Sequence, residues 1–408
     1  MCQSGTEYRA FPRNIRLLIL SRLARSVGQG VTVASFALYL HALGFGGTTI
    51  GAVLTAGLVF GATLTAIVGP LSDRRSRRAM LLVYEAVSGL AALAVMLSGS
   101  EAVLIIAATV AGFGRGANGA AGPFAPVEQA WIAREVEGSA RRQALSFNAT
   151  IGFLGMAAGA ALALLPGLFS TDITLAGYRL LFAVPAVSSI IAILALALTQ
   201  EAHAADVPPA PRSLSDHHIT REENRQLRRL AIANIVNGLG VGMIGPLMAY
   251  WFALRYGKGP SSIGPALAAG FVLAACGSAL SARLATRFGA VRTVLLMRGF
   301  GILSLAAMPF APEFGVAVAL YAIRAAFNRG TVGARQAVTA DLTRAERRGT
   351  AASIQNLSLQ IPRAIGPLIG GWLLHRGYLA LPFLTAAALQ AAYIVLYGYF
   401  FGSLDRMR

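Results

Sequence analysis

Residues Thr48 to Ala62 read TTIGAVLTAGLVFGA and residues Ser261 to Ala275 read SSIGPALAAGFVLAA, a gapless match at a constant shift of 213. Ile50, Gly51, Leu54, Ala56, Gly57, Val59 and Ala62 recur as Ile263, Gly264, Leu267, Ala269, Gly270, Val272 and Ala275. A second gapless register pairs Gln129, Ala130, Ala133, Arg141, Ala144 and Ser146 with Gln336, Ala337, Ala340, Arg348, Ala351 and Ser353, at a shift of 207. Apolar helices match by chance easily, so a single identity carries little. Two long registers in the same order imply a duplicated unit, with a substrate site expected at the interface of the two copies.

Composition says where such a chain resides. Of its 408 residues, 56% are AVILMFWYC and 13% are charged, whereas a soluble domain carries about 25% charged residues and cannot hide this much apolar surface. Cys2 and Cys276 are too few for a disulfide framework or thiolate metal site, and the 5 histidines have no ligand spacing, so no metal and no cofactor is expected. The net charge of +18 comes from short basic clusters between apolar spans rather than from one continuous face, which argues against nucleic acid as a partner.

A hydrocarbon core of about 30 Å needs about 20 apolar residues per helix. Twelve such runs occur, near 15–40, 48–68, 79–98, 102–124, 143–166, 178–198, 229–253, 262–282, 291–310, 314–334, 352–374 and 379–401. With the N-terminus inside, cytoplasmic segments and span edges hold 24 of the 35 Lys+Arg, external loops hold Arg179, Arg255, Lys258 and Arg376, and seven arginines fall inside spans. That asymmetry puts both termini in the cytoplasm. Arg13 and Arg16 open the first span and no small-residue cleavage site follows, so it reads as a retained helix.

The longest polar stretch, from Gln200 to Arg229, holds Pro208, Pro209, Pro211 and mixed charges and reads as a cytoplasmic linker. The expected organisation is therefore a six-helix bundle over 1–199, a linker over 200–228 and a second six-helix bundle over 229–408. His203, His217 and His218 are read as solvated linker residues.

Between the second and third spans lies GPLSDRRSRR, Gly69 to Arg78. Glycine allows close helix approach, Asp73 can cap or pair, and Arg74, Arg77 and Arg78 hold the loop at the cytoplasmic surface. The stretch resembles the loop signature of the major facilitator superfamily, with Ser76 in place of its usual glycine, and the resemblance extends over the chain through the twelve spans and the duplication. It implies an all-α membrane protein of two six-helix bundles related by a pseudo-two-fold axis. It also implies a gating loop of Gly69, Asp73, Arg74, Arg77 and Arg78, with Glu128 joining the loop's network. In the repeat, Thr286 replaces the loop acid and Arg335 replaces Glu128, so the second half is expected to have lost its latch. Arg115-Gly116-Ala117-Asn118-Gly119 resembles the family's arginine signature in the fourth span, and implies for Arg115 a part in proton coupling or substrate contact.

Positions three, four and seven apart share a helix face. Arg22, Arg25, Gln29, Thr32 and Tyr39 form a polar stripe in the first span, Asn234 and Asn237 in the seventh, Arg324 and Asn328 in the tenth, and Ser353, Asn356, Gln360 and Arg363 in the eleventh. A buried arginine in a span faces a cavity or an acid rather than lipid. The expected cavity residues are thus Arg25, Gln29, Arg115, Asn118, Asn237, Arg324, Asn328, Gln360 and Arg363. Glu85 is the one carboxylate well inside a span, and its counterpart at a shift of 213 is Arg298. It is a candidate proton carrier, with an ion pair inside its own half the favoured reading. Gly152, Gly155 and Gly159 form a small-residue face on the fifth span.

No Walker A, nucleophile elbow or metal cluster occurs, so the chain is expected to be no enzyme and to draw on an ion gradient. These readings describe a monomeric secondary transporter in the plasma (inner) membrane, proton-coupled as symporter or antiporter, moving a small organic solute by alternating access. Excess buried positive charge favours an organic anion. Efflux of amphiphilic compounds is an alternative, and a lipid-translocating or non-transporting membrane protein on the same fold is one of another class.

Overall fold

The computed structural model describes residues 11–71, 76–115, 122–169, 174–201, 217–342, 348–402 and 405. These are helices and short connections, with no strand among them. In chain order the helices are α1 (Arg13–Ala42), α2 (Gly47–Leu71), α3 (Arg77–Leu97), α4 (Glu101–Ala111), α5 (Ala125–Glu135), α6 (Gly138–Leu162), α7 (Leu165–Phe169), α8 (Leu175–Leu180), α9 (Ala183–Ala197), α10 (His217–Ile244), α11 (Met248–Tyr256), α12 (Pro260–Phe288), α13 (Ala290–Ala307), α14 (Phe314–Gly330), α15 (Val332–Asp341), α16 (Arg348–His375) and α17 (Leu381–Phe401).

By length and apolar character alone, eight of the described segments can cross a bilayer. They match eight of the twelve expected spans, and the remaining four are polar or broken. The first carries Arg13, Arg16, Arg22 and Arg25, and the eleventh carries Gln360, Arg363, Pro362 and Pro367. The fourth was expected as one helix over 102–124, but α4 stops at Ala111 because Gly112 and Gly114 take φ of 69° and 77°. Only glycine adopts that left-handed conformation cheaply, and it ends a helix. Arg115 accordingly lies in the turn beyond α4 rather than deep in a helix. The tenth is interrupted at Thr331, between α14 and α15.

Large apolar side chains stand on the outside, among them Leu90, Leu97, Ile106, Leu303 and Val395. Water would not tolerate this outer surface and lipid does.

The chain divides into two compact units, one of 1–45, 56–205 and 257–268, the other of 46–55, 206–256 and 269–408. In the first unit α1 packs on α6 and α9, and α9 on α3. Its core gathers Ile15, Leu18, Leu81, Tyr84, Phe124 and Trp131. In the second, α10 packs on α16 and α17, and α13 on α14 and α17, around Leu230, Val294, Val338, Tyr393 and Tyr397.

Glycines set these distances. Gly30 and Gly159 leave no room for a Cβ, since the carbonyls of Met156 and Val27 occupy it, and in the other unit Gly242 and Gly370 meet the carbonyls of Arg363 and Met243. The absence of a side chain lets backbones approach, which is how apolar helices gain contact in lipid. The two segments that depart from the expected halves follow the same rule: Gly51 lies on the carbonyl of Pro367 in one unit and Gly264 on that of Ala160 in the other. Gly51 and Gly264 are partners at the shift of 213, and Ala160 and Pro367 are partners at 207. The two contacts are the same contact, made twice.

Candidate functional site

In the first unit the polar stripe of α1 meets acids from two other helices. Arg25, 5% exposed, donates its Nε to Glu85 Oε1 and its Nη1 to Glu128 Oε2 at 2.8 Å, with Ser21 Oγ at 3.5 Å from Nη2. The other oxygen of Glu128 accepts Asn148 Nδ2 at 2.6 Å, and the guanidinium lies 5.7 Å from the centre of the Tyr84 ring. Glu85 and Glu128 are each 1% exposed. Removing such charges from water costs several kcal/mol per ion, which only close pairing with the remaining lone pairs satisfied repays. Glu85 therefore takes the ion pair within its own half.

Glu128 sits in the first turn of α5 and points into the bundle, where Arg25 and Asn148 engage both oxygens. Its expected contact with the gating loop lies outside the described residues, since 72–75 are not among them.

A cavity of about 40 Å³ opens beside this cluster, lined in part by Arg25, Gln29, Thr32, Tyr84, Glu85 and Ser188. That is room for a few waters, since one needs roughly 10–15 Å³. The buried Oε1 of Gln29 has no protein partner there, as expected of an acceptor served by water. Arg115 is 8% exposed and lies against Gly61 and Gly112.

In the second unit Arg298 Nη1 donates to Asn237 Oδ1 at 2.5 Å, and its guanidinium lies 4.7 Å from the centre of the Tyr393 ring. Asn328 Nδ2 donates to Gln390 Oε1 at 2.9 Å. Arg329 lies between the rings of Phe271 and Tyr321, at 4.7 and 5.6 Å, and donates to the Tyr321 hydroxyl at 3.0 Å. Arg324 and Arg363 are both 5% exposed, and Gln360 is half-buried. Arg298, Arg324 and Arg335 form no ion pair with any described residue. Asn118, Asp73 and Arg74 lie outside the described residues, and of Gly69 only its place in α2 is described.

The arginines expected at the loop bring in an acid that the motif does not contain. Glu201 accepts the backbone N–H groups of Arg77 at 2.9 Å and Arg78 at 3.1 Å, and the Ser76 hydroxyl at 2.6 Å. Arg78 donates its Nε and Nη2 to the carbonyls of Leu196 and Ala197, at 3.2 and 2.6 Å. Sequence reasoning missed Glu201, Asn148 and Gln390. Gln390 left a signal, a lone amide among the apolar residues of α17, whereas a linker acid has nothing in sequence to mark it.

Comparison with known proteins agrees with this architecture. The family model described as Major Facilitator Superfamily matches residues 18–227 and 230–406. An uncharacterized membrane protein of Saccharomyces cerevisiae is 23% identical, over 94% of this chain and 93% of its own. Among solved structures, a bacterial homolog of the human lysosomal transporter Spinster, inward-facing and unoccupied, superposes with TM-score 0.70 at 16% identity, covering 98% of this chain and 97% of that one. A bacterial homologue of the iron transporter ferroportin gives TM-score 0.70 at 17% identity, covering 95% and 98%. The nucleoside transporter NupG gives 0.69 at 14% identity, covering 96% and 99%. The chain is a multi-pass membrane transporter and belongs to the Major Facilitator Superfamily.

Proposed function

We propose that the protein is a proton-coupled secondary active transporter of a small organic anion, working by alternating access. The observation that carries this reading is the imbalance of buried charge. Arg22, Arg25, Arg77, Arg115, Arg298, Arg324, Arg329, Arg335 and Arg363 are buried, against Glu85, Glu128 and Glu223 among the described residues. Such an excess of buried cations over buried acids favours an anionic ligand.

Arg25 takes a different part from the other arginines. It is saturated by Glu85 and Glu128, so it has little charge left for a solute. Arg22, also buried, lies within electrostatic reach of both acids, so Arg22 and Arg25 balance Glu85 and Glu128. Protonation of either acid changes the cluster's charge by one, and the adjoining cavity can admit the water that carries the proton. Arg25, Glu85 and Glu128 form the coupling site in this reading, while Asn237, Arg324, Asn328, Gln360 and Arg363 serve the solute. The excess of basic residues in the segments between spans supports cytoplasmic termini.

Uptake into proteoliposomes tests the reading, with an imposed pH gradient and radiolabelled carboxylates and phosphate esters offered in turn. Gradient-driven accumulation of an anion supports it. Transport of neutral or cationic amphiphiles alone would replace it with the efflux reading.

A further inference from the structure

The duplication can be followed residue by residue into the two charged clusters. Gly30 on α1 meets the carbonyl of Met156 and Gly242 on α10 meets that of Arg363, and Met156 and Arg363 are partners at the shift of 207. Hence α1 maps onto α10 at a shift of 212, and Arg25 maps onto Asn237. Glu85 maps onto Arg298 at 213 and Glu128 onto Arg335 at 207. Arg22 and Arg25 with two glutamates, formally neutral, have become Asn234 and Asn237 with two arginines, formally +2. The hydrogen bond is reversed as well. In the first unit the arginine of the opening helix donates to an acid on α3, whereas in the second the arginine of α13 donates to the amide oxygen of Asn237.

This second cluster is rich in donors and short of acceptors. Asn237, Arg298, Arg335, Tyr393 and Tyr397 are 1%, 3%, 9%, 0% and 1% exposed. Asn237 Nδ2, Arg335 Nε and the hydroxyls of Tyr393 and Tyr397 are buried with no hydrogen-bond partner. Arg335 acts on Arg298 more strongly than Arg324 does, and Arg335, Arg298 and Asp405 all act on Tyr397. Two buried cations that repel each other, surrounded by idle donors, are costly unless a ligand supplies acceptors. Carboxylate and phosphoryl oxygens accept without donating and suit guanidinium donors.

We propose that Arg298, Arg335 and Asn237, with the hydroxyls of Tyr393 and Tyr397, form an oxyanion-binding site, the charge-inverted copy of the coupling cluster. It deepens the transport reading and rests on it for one point, that the oxyanion is the head group of the transported solute.

The test uses the full-length protein in detergent, with thermal unfolding followed in sodium phosphate, sodium acetate and disodium succinate against sodium chloride at matched ionic strength. A ligand of the folded state raises the melting temperature saturably. The parent is expected to respond to at least one oxyanion beyond chloride. Arg335→Gln should raise the half-stabilising concentration at least tenfold, and so should the pair Asn237→Arg with Arg298→Glu. That pair rebuilds the arginine–glutamate arrangement of the first unit, so its melting temperature without anion should stay near the parent's, which separates loss of the site from loss of the fold. Repeating the titration in nanodiscs, with and without anionic phospholipid, distinguishes a lipid phosphate from a free oxyanion: competition by the lipid keeps the site and makes the membrane its source. A parent that responds no more to oxyanions than to chloride, or a response that survives both changes, overturns the site. Loss of the response in the variants, with no anion uptake by the parent, would keep the site and sink the transport reading. Uptake by a parent whose response survives both changes would do the reverse.

Discussion

Glu201 accepts the backbone N–H of Arg77 at 2.9 Å, and Asp405 accepts that of Arg292 at 2.7 Å. Each acid follows the last long helix of its repeat and caps the helix that corresponds, α3 in one case and α13 in the other; Asp405 also takes the N–H of Val291 at 3.2 Å. The first N–H groups of a helix have no partner within it, and a carboxylate there meets both them and the helix dipole. The second half therefore has an acid at the start of α13, although Thr286 and Arg335 stand where the loop motif and α5 carry theirs.

Partial burial raises the Glu201 carboxyl, but hydrogen bonds from the Ser76 hydroxyl and the N–H groups of Arg78 and Arg77 outweigh it and hold the group below the ordinary range. A depressed folded value contributes stability that is present above the unfolded pKa, about 4.3 for Glu, and is lost as pH falls through the folded value. Glu201→Gln should lower the stability at pH 7 by the amount of a lost helix cap, about 1 kcal/mol, seen as a lower melting temperature. The gap between parent and variant should close as the pH drops below about 4. A gap that is constant with pH would show that the carboxylate's charge does not matter.

Arg25 bonds two buried acids at once, so removing it should cost more than removing either acid. Arg25→Met leaves Glu85 and Glu128 buried without their cation, a change of the kind that costs about 3–5 kcal/mol. The triple variant Arg25→Met, Glu85→Gln, Glu128→Gln should recover part of that loss, because the two acids are no longer orphaned while Arg22 stays buried beside them. Thermal unfolding of the parent, the three single variants and the triple variant in one detergent gives the comparison, and strict additivity would refute a shared network.

Gly51 and Gly264 rest directly on backbone carbonyls, so Gly51→Val or Gly264→Val must push two helices apart. Each should lower the melting temperature by several degrees and reduce the yield of folded protein. Gly299→Ala on α13 is the control, since a Cβ there meets nothing and alanine favours the helix by about 1 kcal/mol. Equal effects at the three positions would show that the close approach carries no weight.

Much of this architecture is legible in sequence because lipid imposes it. The apolar runs, the repeat registers and the small-residue face at Gly155 and Gly159 are direct consequences of spanning and packing. The polar stripe of α1 is legible too, but its partners are not, since periodicity names a face and not what lies across from it. The position of Glu128 along its helix is readable in sequence, whereas its pairing with Arg25 and Asn148, remote in sequence, is not. The break after α4 could have been read from Gly112 and Gly114, had the apolar run not argued for one continuous span.

Proton coupling through the Arg25 cluster makes a prediction that stability cannot mimic. Glu85→Gln and Glu128→Gln keep the shape of each side chain and remove the group that binds a proton, while the cavity beside Arg25 and Glu85 keeps its water. If either acid carries the proton, the variant should still exchange solute across the membrane at equal pH on both sides, because binding and the conformational change are intact. It should fail to accumulate solute against its gradient when a pH difference is imposed, and its exchange rate should lose the parent's dependence on pH. An acid that serves only to hold Arg25 would give the opposite pattern, a less stable protein whose remaining activity responds to pH as the parent's does. Measuring exchange and gradient-driven accumulation on the same vesicle preparation separates the two outcomes. Parent-like accumulation by both variants would remove the cluster from the coupling path and leave it a structural pair.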